Sequence, residues 1–270
     1  MRLRASILPK TFKETFATGF LIVNIPLHLY SQLFFVLPGL YEPWSADYNL
    51  RFGVIVLLTL MAFANLLATM LSDPSVAGRI PKGRIVADWK YCARCERSAP
   101  PRSWHCKICD VCVLKRDHHC LMMSCCVGHD NLRYFFCYLF FQMACAAYGT
   151  VLNACFLWNS IEPGCLWKAV LKVAFPFVGM FFVDWSSYQF HFCLMVVLFS
   201  VAVVNGFLFV FYVKLLVRNI TLFENKKIGK EKFNRGLVEN IKVVLGERWY
   251  LVWLGPWVHS KLTGDGMHWN

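Results

Sequence analysis

Residues 92–126 read CARCERSAPPRSWHCKICDVCVLKRDHHCLMMSCC. The run holds Cys92-x2-Cys95, then His105-Cys106-x2-Cys109-x2-Cys112, then His118-His119-Cys120 and Cys125-Cys126. Each CxxC turn presents two thiolates to one tetrahedral ion, and such pairs with further Cys and His in a short segment are a zinc signature. The segment has little apolar content, so metal has to replace a hydrophobic core. Two closed sites take eight ligands, and the candidates are Cys92, Cys95, His105, Cys106, Cys109, Cys112, His118, His119, Cys120, Cys125 and Cys126. Three donors are left over. Closed four-ligand sites are structural, whereas a spare Cys beside a spare His and an acid suits an activated thiolate nucleophile. Spacing alone does not choose the spare groups.

The rest of the chain is apolar. Of its 270 residues 57% are hydrophobic and 16% charged, against about a quarter charged in a soluble domain. Four uncharged stretches, Phe16–Pro38, Phe52–Leu71, Tyr134–Ile161 and Trp185–Val213, reach the roughly 20 residues that a spanning helix needs. They are apolar on every side, which excludes the amphipathic helices of a soluble bundle. The polar lead Met1–Thr15 and the long apolar core that follows argue for a retained span rather than a cleaved signal.

Lys and Arg set the orientation. Residues 1–15 carry four, 72–133 eleven and 214–270 ten, while 39–51 carries one and 162–184 two. The positive-inside rule places both termini and the Cys-rich loop in the cytosol. The net charge of +12 then follows from topology and attraction to anionic lipid, with no nucleic acid implied. Ala169–Val183 is apolar but short, carries Lys172 and is broken by Pro176 and Gly179; it reads as an interfacial or re-entrant piece, with a fifth span as the alternative. Eight of the thirteen cysteines lie in the loop assigned to the reducing cytosol, where metal or catalytic use outweighs disulfides. The expected fold is an all-α polytopic membrane protein with four transmembrane helices and a cytosolic cysteine-rich two-zinc module between the second and third spans. Its divisions are 1–15, a cytosolic N-terminus; 16–71, two spans; 72–133, linker and zinc module; 134–216, two spans; and 217–270, a cytosolic tail.

The run Asp117-His118-His119-Cys120, with this cysteine spacing before it and Cys126-Val127-Gly128 after it, resembles the DHHC-type protein S-acyltransferases (palmitoyltransferases), and the likeness covers almost the whole chain. The resemblance implies one zinc on Cys92, Cys95, His105 and Cys112, and another on Cys106, Cys109, His119 and Cys126. Asp117, His118 and Cys120 are then the catalytic trio. Acyl-CoA is the implied co-substrate, proteins with membrane-proximal cysteines the acceptors, and an ER or Golgi membrane the expected address. His118 would take the Cys120 proton, with Asp117 orienting the imidazole. In the tail, Thr221-Leu222-Phe223-Glu224 resembles the family's Thr-Thr-x-Glu motif with Leu222 in place of the second Thr, and a helix-capping pair explains the same spacing. Asn240 matches the key Asn of a C-terminal motif and is expected to position the tail.

Two departures stand out. Where the family follows the reactive Cys with Pro-Trp and two Asn, this chain has Leu121, Met122, Met123, Ser124 and Cys125, which predicts a less rigid, less polar loop. Cys125 is also placed to compete with Cys126 for zinc or to be acylated itself. A catalytically weak or inactive zinc-binding membrane adaptor is the alternative. A RING-type ligase fits poorly, because Cys112 follows Cys109 at x2 spacing where such modules need Cys-x-His.

Overall fold

The structure is a computed structural model and describes residues 2–159, 187–227 and 233–269. Among the described residues four helices are long and apolar enough to cross a membrane: Phe12–Leu40, Ala46–Leu71, Leu132–Asn159 and Gln189–Val217. The Cys-rich segment lies between the second and third of them. The expected interfacial piece Ala169–Val183 falls outside the described residues.

The first apolar run begins as α1 (Phe12–Ser31) on a reciprocal cap. Thr11 Oγ1 accepts from Glu14 N at 3.2 Å, and Glu14 Oε2 accepts from Thr11 N at 2.8 Å. This T-x-x-E box satisfies two otherwise orphaned donors. Pro26 removes a ladder donor inside α1, and the helix widens into a π turn at Gln32–Val36 before α2 (Leu37–Leu40) ends it. α3 (Ala46–Leu71) starts at Ser45, whose hydroxyl accepts from Tyr48 N at 3.2 Å. It stops where Asp73-Pro74 disfavours helical backbone.

Three antiparallel hairpins follow: β1 (Lys90–Cys92) with β2 (Arg97–Ala99), β3 (Trp104–Cys106) with β4 (Val111–Val113), and β5 (His118–Cys120) with β6 (Cys125–Val127). Glu96, Asp110 and Ser124 close them in left-handed conformation, at φ 51°, 53° and 47°. The buried clusters here are small. One holds Val76, Ile80, Cys95, Ala99, Cys112 and Leu114, the other Cys106, Val113 and Cys126. Cysteines make up much of both, so apolar burial alone does not hold the segment together. Gly128 leads out of β6, where a Cβ would stand 2.6 Å from the Leu114 carbonyl oxygen; only glycine fits that approach.

Fully buried Asn131 then binds three elements. Its amide donates to Thr69 O and Cys126 O, both at 3.0 Å, and its Oδ1 accepts from Gly128 N at 2.8 Å. α4 (Leu132–Asn159) starts at once, and α5 (Ser187–Val217) is the last long helix. α5 ends in a Schellman turn: Ile220 N donates to Leu215 O and Asn219 N to Leu216 O, with Asn219 at φ 48°. Among the described residues two short α-helices, α6 (Leu222–Lys227) and α7 (Leu237–Leu245), and a 3-10 turn at Val252–Leu254 follow.

Contacts divide the chain into two compact units. One comprises Met1–Ile22, Phe63–Tyr138 and Phe209–Asn270 and carries the hairpins and the tail; the other comprises Val23–Ala62 and Leu139–Leu208. In the second unit Val36, Leu37, Ile55 and Leu152 form a buried cluster. Ala146 packs with Leu194 and Leu198, and a Cβ on Gly149 would meet the His28 ring at 2.5 Å. The small residues of the third span thus serve close helix packing.

Candidate active site

Strand alternation decides what His118-His119-Cys120 can do. Successive residues of β5 face opposite sides, so His118 and Cys120 share one face and His119 takes the other. The pairing His119↔Cys126 puts Cys126 on the face of His119, and Cys120↔Cys125 puts Cys125 on the face of Cys120.

Among the described residues two groups of four donors converge: Cys92, Cys95, His105 and Cys112, and Cys106, Cys109, His119 and Cys126. Within each, all ligand atoms lie within 4.8 Å of one another. His105 Nδ1 is 3.7 Å from Cys92 Sγ and 3.4 Å from Cys95 Sγ. His119 Nδ1 is 3.6, 3.4 and 3.6 Å from the sulfurs of Cys106, Cys109 and Cys126. A tetrahedral zinc with metal–sulfur bonds of about 2.3 Å and metal–nitrogen bonds of about 2.0 Å has donor–donor edges of roughly 3.5 Å. Both sets fit such an ion.

His118, Cys120 and Cys125 lie outside both sets. Cys125 is buried with its sulfur 3.8 Å from Thr69 O. Burial, and after it the charge of Cys120, pushes its thiol up. Cys120 is half-buried.

Asp117 is the anchor of the arrangement, with its side chain 1% exposed. Its Oδ2 lies 2.7 Å from His118 Nδ1 and accepts from Tyr212 Oη at 2.6 Å. Its Oδ1 accepts from Leu222 N at 2.7 Å. The His118 ring meets Phe135 edge-on at 5.1 Å. Burial pushes the His118 imidazolium down, but hydrogen bonds and charge from Asp117 and Cys120 outweigh it and raise the group to about 9.

The tail holds this face. Thr221 and Glu224 do form a cap, with Glu224 N donating to Thr221 Oγ1 at 3.2 Å and Thr221 N to Glu224 Oε2 at 2.9 Å. The same Glu224 makes a buried bidentate pair with Arg102 at 2.6 and 2.7 Å. Leu222 reaches Asp117 through its backbone N–H, so that hydrogen bond does not depend on which side chain stands at 222. Asn240, fully buried, donates to Val217 O at 2.6 Å and accepts from Arg235 N at 3.0 Å, which fixes α7 near the end of α5. On α7, Val243, Val244 and Leu245 are buried, while Leu237 at its first turn is exposed.

Sequence reasoning missed Tyr212 and the Leu222 amide, and it did not foresee that Arg102 and Lys115 are buried. Lys115 donates to Asn219 Oδ1 at 3.1 Å. A tyrosine near the cytosolic end of an apolar span was the one signal for the first. The loop after Cys120, expected to be loose, is tied down: Thr18 Oγ1 donates to Met122 O at 3.1 Å and lies 2.7 Å from Ser124 Oγ, Arg4 donates to Ser124 O at 3.1 Å, and Met123 is buried.

Removing one member of a buried ion pair costs about 3–5 kcal/mol. Glu224→Ala is therefore expected to lower the thermal midpoint in detergent strongly and to release the turn at Leu222 from Asp117, exposing that turn to protease. Both are read on one purified variant.

A family model of the DHHC palmitoyltransferases matches residues 85–229, more than half the chain. Probable palmitoyltransferase ZDHHC24 of Mus musculus is 33% identical over 227 residues, 83% of this chain and 79% of that protein. Palmitoyltransferase ZDHHC23 of Homo sapiens is 29% identical over 183 residues, 66% of this chain and 42% of that protein. Probable protein S-acyltransferase 15 of Arabidopsis thaliana is 26% identical over 236 residues, 78% of this chain and 84% of that protein. With Asp117 leading directly into His118-His119-Cys120 on β5 and these matches along most of its length, the chain belongs to the DHHC palmitoyltransferase family.

Proposed function

We propose that this protein moves a long-chain fatty acyl group, palmitoyl in the first instance, from acyl-CoA to cysteine thiols of proteins through an S-acyl-enzyme on Cys120. The observation that carries this reading is the 2.7 Å contact between Asp117 and His118, on the strand face that also presents Cys120, outside both donor clusters. With Nδ1 engaged by Asp117, His118 Nε2 is the nitrogen left for the thiol. It takes the Cys120 proton, and the thiolate attacks the carbonyl carbon of the acyl-CoA thioester. The carbon–sulfur bond to CoA breaks, and the CoA thiolate takes the proton from His118. An acceptor cysteine, deprotonated by the same His118, then attacks the Cys120 thioester and releases the enzyme. One thioester is made for each one broken, so neither step needs an outside energy source. General-base assistance of this kind is worth about 10²–10⁴-fold in rate.

Cys92, Cys95, His105 and Cys112 would hold one zinc ion, and Cys106, Cys109, His119 and Cys126 the other. Bound there, zinc supplies cross-links between hairpins and no reactive position. His119 as a ligand holds the strand between His118 and Cys120.

The Cys-rich segment runs into α4 almost at once, so Cys120 works at the membrane surface. Exposing a chain costs roughly 0.8 kcal/mol per methylene, on the order of 10 kcal/mol for palmitoyl, so the acyl tail stays in the apolar phase while its thioester reaches Cys120. The charge distribution supports a cytosolic module and cytosolic termini; an ER or Golgi membrane is the address that the family suggests.

The test is direct. Purified protein incubated with labelled palmitoyl-CoA is expected to take up label that neutral hydroxylamine removes. A protein that binds zinc but takes up no label is instead a membrane adaptor.

A further inference from the structure

We propose that Glu14 is a positioning residue: through His119 it ties the start of the first membrane helix to the strand that carries Cys120. The inference rests on the reading of Cys106, Cys109, His119 and Cys126 as a zinc site. Glu14 was expected only to be part of a cytosolic N-terminal lead. In the structure its side chain is 1% exposed, and its Oε1 lies 2.7 Å from Nε2 of His119, itself 8% exposed.

The two carboxylate oxygens do separate work. Oε2 serves the helix cap, accepting from the backbone N–H of Lys10 and of Thr11 at 2.8 Å each and from the Thr11 hydroxyl at 3.1 Å. A cap needs no more than that and requires no burial, so capping leaves the Oε1 contact unexplained. On the other side of the imidazole, His119 Nδ1 faces three sulfurs at 3.4–3.6 Å. A nitrogen aimed at a metal carries no proton, so the proton sits on Nε2 and donates to Oε1. A carboxylate in that place fixes the tautomer and ring orientation and makes the histidine a stronger ligand.

Among the described residues the other donor set shows no buried carboxylate of this kind. His105 Nε2 stands 3.4 Å from Asp110, whose side chain is 66% exposed, a loose and solvated contact. The buried carboxylate is therefore reserved for the site whose histidine stands between His118 and Cys120. Lys10 and Thr18 reinforce the connection: Lys10 Nζ donates to Cys109 O at 3.1 Å, and Thr18 to Met122 O at 3.1 Å. A shift of the first helix is thus transmitted to the reactive strand through a metal ligand.

The experiment uses the full-length protein in detergent, as wild type, Glu14→Ala, Glu14→Gln and Thr11→Ala. Zinc content and the rate of zinc transfer to a colorimetric chelator are measured, together with the visible ligand-field spectrum after cobalt(II) substitution. Loss of an outer partner of a metal ligand costs about 10–100-fold in affinity. Both Glu14 variants are therefore expected to release one of two zinc ions that much faster, with the other unchanged, and to shift part of the cobalt spectrum. Gln carries no charge, so even with its oxygen on His119 it is a weaker partner than the carboxylate and loosens the ligand. Thr11→Ala weakens the cap but keeps Oε1 on His119, so it should release zinc at the wild-type rate. Wild-type release from both Glu14 variants overturns the proposal, and so does equally fast release from Thr11→Ala, because helix integrity would then explain the effect. Wild-type protein with fewer than two zinc ions overturns the zinc reading itself, and the inference falls with it.

Discussion

Cys120→Ala is expected to abolish hydroxylamine-sensitive labelling by palmitoyl-CoA, whereas Cys125→Ala keeps most of it. The two thiols are cross-strand neighbours on one face of the β5–β6 hairpin, so proximity does not separate them. Their surroundings do. Cys120 is half-buried, on the strand that carries His118. Cys125 is buried against Thr69, and burial together with the Cys120 charge pushes its thiol up, away from the nucleophilic thiolate. Removing Cys125 deletes one small buried group, which costs stability on the order of 1 kcal/mol, not chemistry. Labelling of both single variants at similar levels would mean that the two thiols share the acyl group.

Zinc removal is expected to have the second largest effect. A strong chelator should abolish acyl transfer and open residues 84–127 to proteolysis while the membrane helices keep their circular dichroism. The buried clusters of this segment are small and made largely of ligand cysteines. Structural zinc contributes about 10–16 kcal/mol, as much as the whole stability of an ordinary domain, about 5–15 kcal/mol. Asp117, Leu222 and Tyr212 meet at the end of this segment, so the trio loses its geometry with the hairpins. Zinc-free protein that still resists protease and still transfers acyl groups would show that apolar packing suffices.

How much of this was legible in the sequence depends on where the information is written. The four membrane helices are read from local apolar runs, and the donor clusters from CxxC spacing, because both are short-range patterns. Even the choice of Cys126 over Cys125 beside His119 follows from strand alternation once the hairpin register is known. The remainder is long-range. Tyr212 reaches Asp117 across 95 residues, the Leu222 amide across 105, and Arg102 reaches Glu224 across 122. A backbone N–H has no residue signature, so the contact that Leu222 makes with Asp117 is invisible in its side chain. The T-x-x-E pattern at Thr221–Glu224 was seen, but its ion pair with Arg102 was not; the pattern at Thr11–Glu14 passed as an ordinary terminus. In both boxes the glutamate caps a helix and also holds a distant partner, and only the first of those tasks is local.

The central claim is that the acyl group passes through Cys120. The most direct measurement is peptide mapping by mass spectrometry of wild-type protein, trapped after incubation with palmitoyl-CoA and before any acceptor is added. The account predicts a palmitoyl thioester on Cys120, with Cys125 unmodified. A thioester on Cys125 with Cys120 unmodified would contradict it.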